Sequence, residues 1–176
     1  MSAPPLPQRV SVRKAVTRNA HYEGSLGAAE MPRFRDLLVA GNGVRMSVDF
    51  GRDEQDRQVA EVAIEAAVEL QCQRCLQRFR HRLSGSSRLG LVLTDEQAQA
   101  LPRDLEPWIA QDDIDLWEVA SEELALALPA VAYHPEGQCS PPAHGSGTTA
   151  DDETTAEKPF GVLSSLLAGG DGKEKE

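Results

Sequence analysis

AEVAIEAAVELQCQRCLQRFRHRL, residues 60 to 83, alternates almost without a break. Its even positions up to the first cysteine are Ala60, Val62, Ile64, Ala66, Val68, Leu70 and Cys72, all apolar. The odd positions between them are Glu61, Ala63, Glu65, Ala67, Glu69 and Gln71. Glutamates four apart would also suit a helix face. A period of two accounts for every even position, however, so the segment reads as a strand. From Phe79 the apolar phase runs on odd positions through Leu83, Leu89, Leu91 and Leu93, with Arg78, Arg80, Arg82 and Arg88 among the residues between. The two segments should pair as an antiparallel hairpin, residues 60–72 against 78–93, with Cys72 and Cys75 at the tip. If Cys72 stands opposite Cys75, Glu69 faces Arg78, Glu65 faces Arg82, Val68 faces Phe79 and Ile64 faces Leu83. Each such pair contributes roughly 0.2–1 kcal/mol. Lengthening each strand by one residue keeps the faces and slides the pairs, so parity is better defined than register. The buried set expected from parity is Val62, Ile64, Val68, Leu70, Phe79 and Leu83.

Outward from the hairpin, EMPRFRDLLVAG reads as a short helix with Pro32 in its first turn and Gly41 at its end. GVRMSVDFGRDEQDRQ reads as a strand and a charged turn over Asp53 to Asp56. Thr94 should cap a short helix that Pro102 stops. The clearest helix is DLWEVASEELALALP, with Asp115 as cap, Glu118 completing a capping box, and Leu116, Val119, Ala120, Leu124, Ala127 and Leu128 as its buried stripe. The fold class is therefore α+β: an antiparallel sheet with a few short helices. Residues 1–8 are Pro-rich and expected to be disordered. A single domain is expected over 9–139, a disordered acidic linker over 140–158, and a short apolar docking motif with a charged tail over 159–176. In that motif Phe160, Leu163, Leu166 and Leu167 are the candidate partner-docking residues.

Hydrophobic residues are 40% of the 176 and aromatics only 5%, so the core must be mostly aliphatic. No apolar run approaches the roughly 18–20 residues that span a bilayer, and MSAPPLPQRVSVRKAV has no signal-peptide apolar stretch; a cytoplasmic protein with no membrane contact is expected. Residues 1–88 hold 14 cationic and 10 acidic side chains, and residues 89–176 hold 4 and 18, within a net charge of −10. That asymmetry is compatible with nucleic acid on one face, but charge alone favours a plain solvated surface.

Three cysteines make a disulfide framework unsuited to the chain. Cys72 and Cys75 have knuckle spacing, and His134 with Cys139 in YHPEGQC could complete four zinc ligands. A dithiol redox pair is a second reading, weakened because the motif ends a strand instead of opening a helix. Two packed thiols at a hairpin tip are the plainest reading. Phosphate loops, paired helical histidines and nucleophile elbows are absent from the sequence, so neither catalysis nor a small-molecule substrate is indicated.

Taken together, LQCQRCLQRF (70–79), DEQAQALP (95–102), DDIDLWEVASEELALALPAV (112–131), YHPEGQC (133–139) and KPFGVLSSL (158–166) resemble the bacterial YceD family, named for large ribosomal RNA subunit accumulation. The resemblance implies a non-enzymatic role in synthesis, processing or stability of 23S rRNA, with rRNA or pre-50S particles, a ribosomal protein or an assembly factor as partners. Some members carry a second close cysteine pair late in the chain, suited to zinc; here Cys139 stands there with His134 before it. On this reading Arg74, Arg78, Arg80 and Arg82 are RNA-facing candidates, as phosphate contacts. The alternative functions are a protein–protein adaptor that never touches RNA, or a CxxC dithiol redox protein.

Overall fold

The computed structural model describes residues 4–39, 41 and 43–140. The expected linker and the docking residues Phe160, Leu163, Leu166 and Leu167 lie outside the described residues.

The hairpin forms as β4 (Gln58–Gln71) and β5 (Arg78–Val92), antiparallel over thirteen rungs from Val59↔Gly90 to Gln71↔Arg78. Its parity is as expected. Ala60, Val62, Ile64, Ala66 and Val68 are buried on one face, while Glu61, Ala63 and Glu65 are exposed on the other. The register is longer by one residue on each strand than the pairing of Cys72 with Cys75. The Cys72 N–H instead donates to the Gln77 carbonyl at 2.9 Å, and the Leu76 N–H closes back on the Cys72 carbonyl at 2.9 Å. The turn is thus Gln73–Leu76, with Leu76 in the left-handed region (φ 60°). Four residues are needed because the chain must curl there, so the two cysteines cannot form a rung. Arg80 consequently faces Glu69, Arg82 faces Ala67, and Glu65 faces Ser84. Arg78 still reaches Glu69 on the diagonal at 3.0 Å, whereas Glu65 lies 3.9 Å from Arg45. Of the expected buried set, Val62, Ile64, Val68 and Leu83 are buried; Leu70 and Phe79, near the tip, are half-buried.

β3 (Val44–Arg52) pairs with β4, and β2 (His21–Leu26) pairs with β3, both antiparallel. The expected charged turn follows β3: Asp53 accepts the backbone N–H groups of Gln55 and Arg57 at 2.9 Å each and the Arg57 Nε–H at 2.6 Å. β6 (Glu106–Ile109) runs parallel to β5, making a five-stranded mixed sheet of order β2-β3-β4-β5-β6. Neither edge strand of this sheet, β2 nor β6, was anticipated. β1 (Arg9–Ser11) pairs with β7 (Asp113–Asp115) beside it.

The expected helix over residues 30–41 is only a 3₁₀ turn, Pro32–Phe34. β3 has its last rung with β4 at Arg45↔Glu65, leaving the far end of that edge open. Residues 37–39 fill the gap: Val39 N–H donates to the Ala67 carbonyl and Glu69 N–H to the Leu37 carbonyl. Backbone used as strand partner cannot also continue a helix.

Two helices form where capping chemistry predicts: α2 (Asp95–Gln99), whose cap Thr94 accepts from the Gln97 N–H, and α3 (Leu116–Ala127). Asp115 caps α3 by accepting the N–H groups of Trp117 and Glu118; the Glu118 carboxylate makes no return bond. Leu116, Val119, Ala120 and Leu124 are buried against the sheet, while Ala127 and Leu128 are half-buried. Gly85 allows this approach, since a Cβ there would sit 3.3 Å from Ile64 and 3.5 Å from Ala127. α1 (Val12–Thr17), also unanticipated, buries Val12, Ala15 and Val16 in the same core.

The expected disorder of residues 1–8 does not extend over residues 4–8. Leu6 is buried, and its backbone and that of Pro4 bond to Ser25 of β2. Gly24 makes room: a Cβ there would lie 2.6 Å from the Leu6 backbone. Trp117 Nε1–H donates to the Leu6 carbonyl at 3.1 Å. None of the described helices is long and apolar enough to cross a membrane.

Candidate functional site

The hairpin tip and the chain after α3 meet. Pro129 holds Leu128 extended (ψ 131°) and stops the helix. The chain then runs to the tip, where the Gln73 N–H donates to the Ala132 carbonyl at 2.9 Å. A second tight turn follows, closed by the Gln138 N–H on the Pro135 carbonyl, with Gly137 at φ 79°. That conformation favours glycine, and it sets His134 and Cys139 on the two limbs of one turn.

These two turns bring together all four donors that the sequence singled out. The ligand atoms of Cys72, Cys75, His134 and Cys139 lie within 4.8 Å of one another. Cys72 Sγ is 3.8 Å from Cys139 Sγ, and Cys75 Sγ is 3.3 Å from His134 Nδ1. They are close enough to hold one metal ion. Cys72 is buried, and the other three are half-buried. Phe79 packs its ring over His134 at 4.6 Å between centroids, which gives this half-buried aromatic a local role.

The electrostatics of the thiols differ. Burial pushes the Cys72 thiol up, but hydrogen bonds from the backbone of Cys75, His134 and Arg74 and from the His134 ring outweigh it, bringing Cys72 down to about 5. Backbone N–H groups turned toward one sulfur form an anion nest. Cys139 goes the other way, to about 11, through burial and then its hydrogen bonds with Cys72 and Cys75 and their charges.

The basic stripe is only partly neutralised. Arg74, Arg78, Arg80 and Arg82 are all exposed. Arg78 pairs with Glu69. Arg74, Arg80 and Arg82 make no ion pair or side-chain hydrogen bond among the described residues. Arg82 was expected to be neutralised by Glu65, and the register shift leaves it free.

Two features were missed in the sequence. Tyr133 is 57% exposed beside the four donors; an exposed aromatic in a loop carries no periodic signal. Glu123 is buried on the inner side of α3, hydrogen-bonded by the Ser87 hydroxyl of β5. Burial raises its pKa; the Ser87 bond opposes that, and the charge of Glu106 adds to it. Its position four residues after Val119, within the apolar stripe, was the available signal.

The sequence profile of a family described as "Large ribosomal RNA subunit accumulation protein YceD" matches residues 60–167. The chain belongs to the YceD family. The match includes all four clustered donors and the arginine stripe. One relative with that same description, from Haemophilus influenzae, is 28% identical over 166 residues, covering 92% of this chain and 95% of its own. No solved structure matches.

Proposed function

We propose that this protein is a non-catalytic factor for accumulation of the large ribosomal subunit's RNA, and that it works by touching RNA with the tip of its long hairpin. The observation that carries this reading is membership of the YceD family over residues 60–167. Arg74, Arg80 and Arg82, which have no ion-pair partner among the described residues, support direct contact: a guanidinium with no carboxylate beside it is free to bind phosphate.

We also propose that the four donors hold zinc. Three thiols and an imidazole are a usual structural set, and tetrahedral zinc separates its ligand atoms by about 3.5–3.8 Å given its bond lengths. The observed 3.3 and 3.8 Å lie within a few tenths of that range. Bound zinc would supply positive charge that stabilises the thiolates, including the reluctant Cys139. The chain's own part is to fix the donors on two tight turns, direct N–H groups at Cys72, and hold the His134 ring against Phe79. This joins residues 72–75 to 134–139 and fixes the loop that carries Arg74.

The test is association with pre-50S particles and with purified 23S rRNA fragments across a salt series. RNA contact predicts affinity falling linearly in log–log form, with a slope of roughly −0.7 to −0.9 per phosphate contact. A second reading, the protein–protein adaptor, is favoured by the exposed Leu76, Val131 and Tyr133 near the tip. It predicts particle association that survives high salt and no binding to naked RNA.

A further inference from the structure

Over the donors His134 and Cys139, which form part of its lining, lies an open hollow of about 550 Å³, within the roughly 300–1,000 Å³ typical of small-ligand sites. Arg74 and Gln73 line it from the hairpin tip, and Tyr133, Pro135, Glu136 and Gly137 line it from the second turn. Three of these side chains have unused chemistry. The Tyr133 ring packs on no other ring among the described residues. Arg74 and Glu136 form no ion pair or side-chain hydrogen bond among the described residues. Gly137 has open space where a side chain would stand, which keeps one wall low.

A flat aromatic ring, a free guanidinium and a free carboxylate around one hollow are the parts of a site for an unpaired nucleotide. The ring offers a stacking face, and every base can use one. The guanidinium suits the phosphate. The carboxylate decides which base. Beside an RNA backbone it is repulsive unless it receives donors. Ionised, it can only accept, through two oxygens side by side. Guanine alone among the four bases presents two adjacent donors on its Watson–Crick edge, N1–H and the N2 amino group. Adenine, cytosine and uracil each set a donor beside an acceptor, which would face a carboxylate oxygen.

We propose that this hollow binds one unpaired guanosine of RNA: the base stacked on Tyr133, its Watson–Crick edge on Glu136, and the adjoining phosphate on Arg74. The proposal rests on the RNA-contacting reading above and adds a base preference to it. Recognition of unstacked bases by aromatic stacking and edge hydrogen bonds is the usual route to sequence preference in RNA, whereas Arg80 and Arg82 provide none.

The experiment uses the full chain, as purified, and two labelled single-stranded probes: a short uridine strand with one central guanosine, and the same strand with adenosine there. The parent protein should bind the guanosine strand about tenfold or more tightly over the adenosine strand. Tyr133→Ala should weaken the guanosine strand by about fivefold to a hundredfold, and Tyr133→Phe should restore it. Glu136→Gln should abolish the preference, weakening the guanosine strand while the adenosine strand binds no more weakly than before. Arg74→Ala should weaken both strands alike. All three positions are exposed, so unchanged thermal unfolding of the variants is the folding control. Salt-sensitive binding of both strands with no preference, or a preference untouched by Glu136→Gln, overturns the guanosine site and leaves RNA contact standing. Failure of both strands to bind at any salt overturns the guanosine site and RNA contact together.

Discussion

At its root the long hairpin pairs Ala60 with Leu89 and Ala66 with Leu83 on a fully buried face, while at its tip it pairs Gln71 with Arg78, both exposed. The same two strands are therefore held in two ways. The root is held by aliphatic side chains beneath α3, each contributing roughly 1.5–3 kcal/mol when fully buried. The tip has half-buried Leu70 and Phe79, an ion pair at 3.0 Å between Arg78 and Glu69, backbone bonds from Glu69 to Leu37 and from Gln73 to Ala132, and the four converging donors. An exposed pair of that kind contributes at most about 1 kcal/mol. The difference teaches that a strand can outrun its core where contacts other than burial gather at its end, and here the sulfur and imidazole cluster stands among them.

The largest expected effect sharpens this contrast by mutation. Ile64→Ala, at the root, should cost about 2–5 kcal/mol of unfolding free energy. Leu70→Ala, six residues toward the tip, should cost only about 1 kcal/mol. Urea unfolding of both variants checks it, and equal costs would erase the distinction between root and tip.

The next effect is local. Stripping metal with a chelator, or Cys139→Ser, should speed amide exchange at Gln73 and Leu76 by about tenfold or more. Val62 and Ile64 should exchange as before. Uniform acceleration along β4 would mean that the tip is cooperative with the root.

A smaller effect concerns the buried acid under the root. The pKa of Glu123 is raised from 4.5, chiefly by burial, so the folded state holds its proton more tightly than the unfolded state does. Its contribution to stability is then fullest below about 4.5 and is lost as pH rises through the elevated folded value. Glu123→Gln should remove this slope and change neutral-pH stability by no more than about 1 kcal/mol. Urea midpoints on either side of that window measure it.

The smallest effect is at the tip's surface. Arg82 has no ion-pair partner among the described residues and Arg78 is paired with Glu69, so Arg82→Ala should weaken RNA binding more than Arg78→Ala does, and should lower the salt slope by roughly 0.7–0.9. Equal losses would show that the pair with Glu69 gives way to RNA.

Most of this contrast could be read along the chain, though unevenly. The faces of β4 and β5 were legible because a strand buried on one side must alternate. The register was not, because it depends on the four-residue turn and on Leu76 in the left-handed region, which no periodicity records. EMPRFRDLLVAG reads as a helix, yet Leu37 and Val39 serve as backbone partners for β4, a demand set by where β3 ends. β6 is four residues long, holds Pro107 and joins in parallel, and nothing in EPWI marks it. The cluster was legible as residue types and spacing in Cys72, Cys75, His134 and Cys139, because ligand chemistry restricts the choices severely. Tyr133 and the freedom of Arg82 were not, since both depend on neighbours that only the fold supplies.

The central claim is that the tip is tied by a four-donor metal centre, and X-ray absorption at the zinc edge tests it most directly, on protein purified without chelator. The account predicts about one zinc per chain, with three sulfurs near 2.3 Å and one nitrogen near 2.0–2.1 Å, and loss of one sulfur in Cys139→Ser. A metal-free protein whose tip amides exchange as slowly as those at Val62 and Ile64 would contradict it.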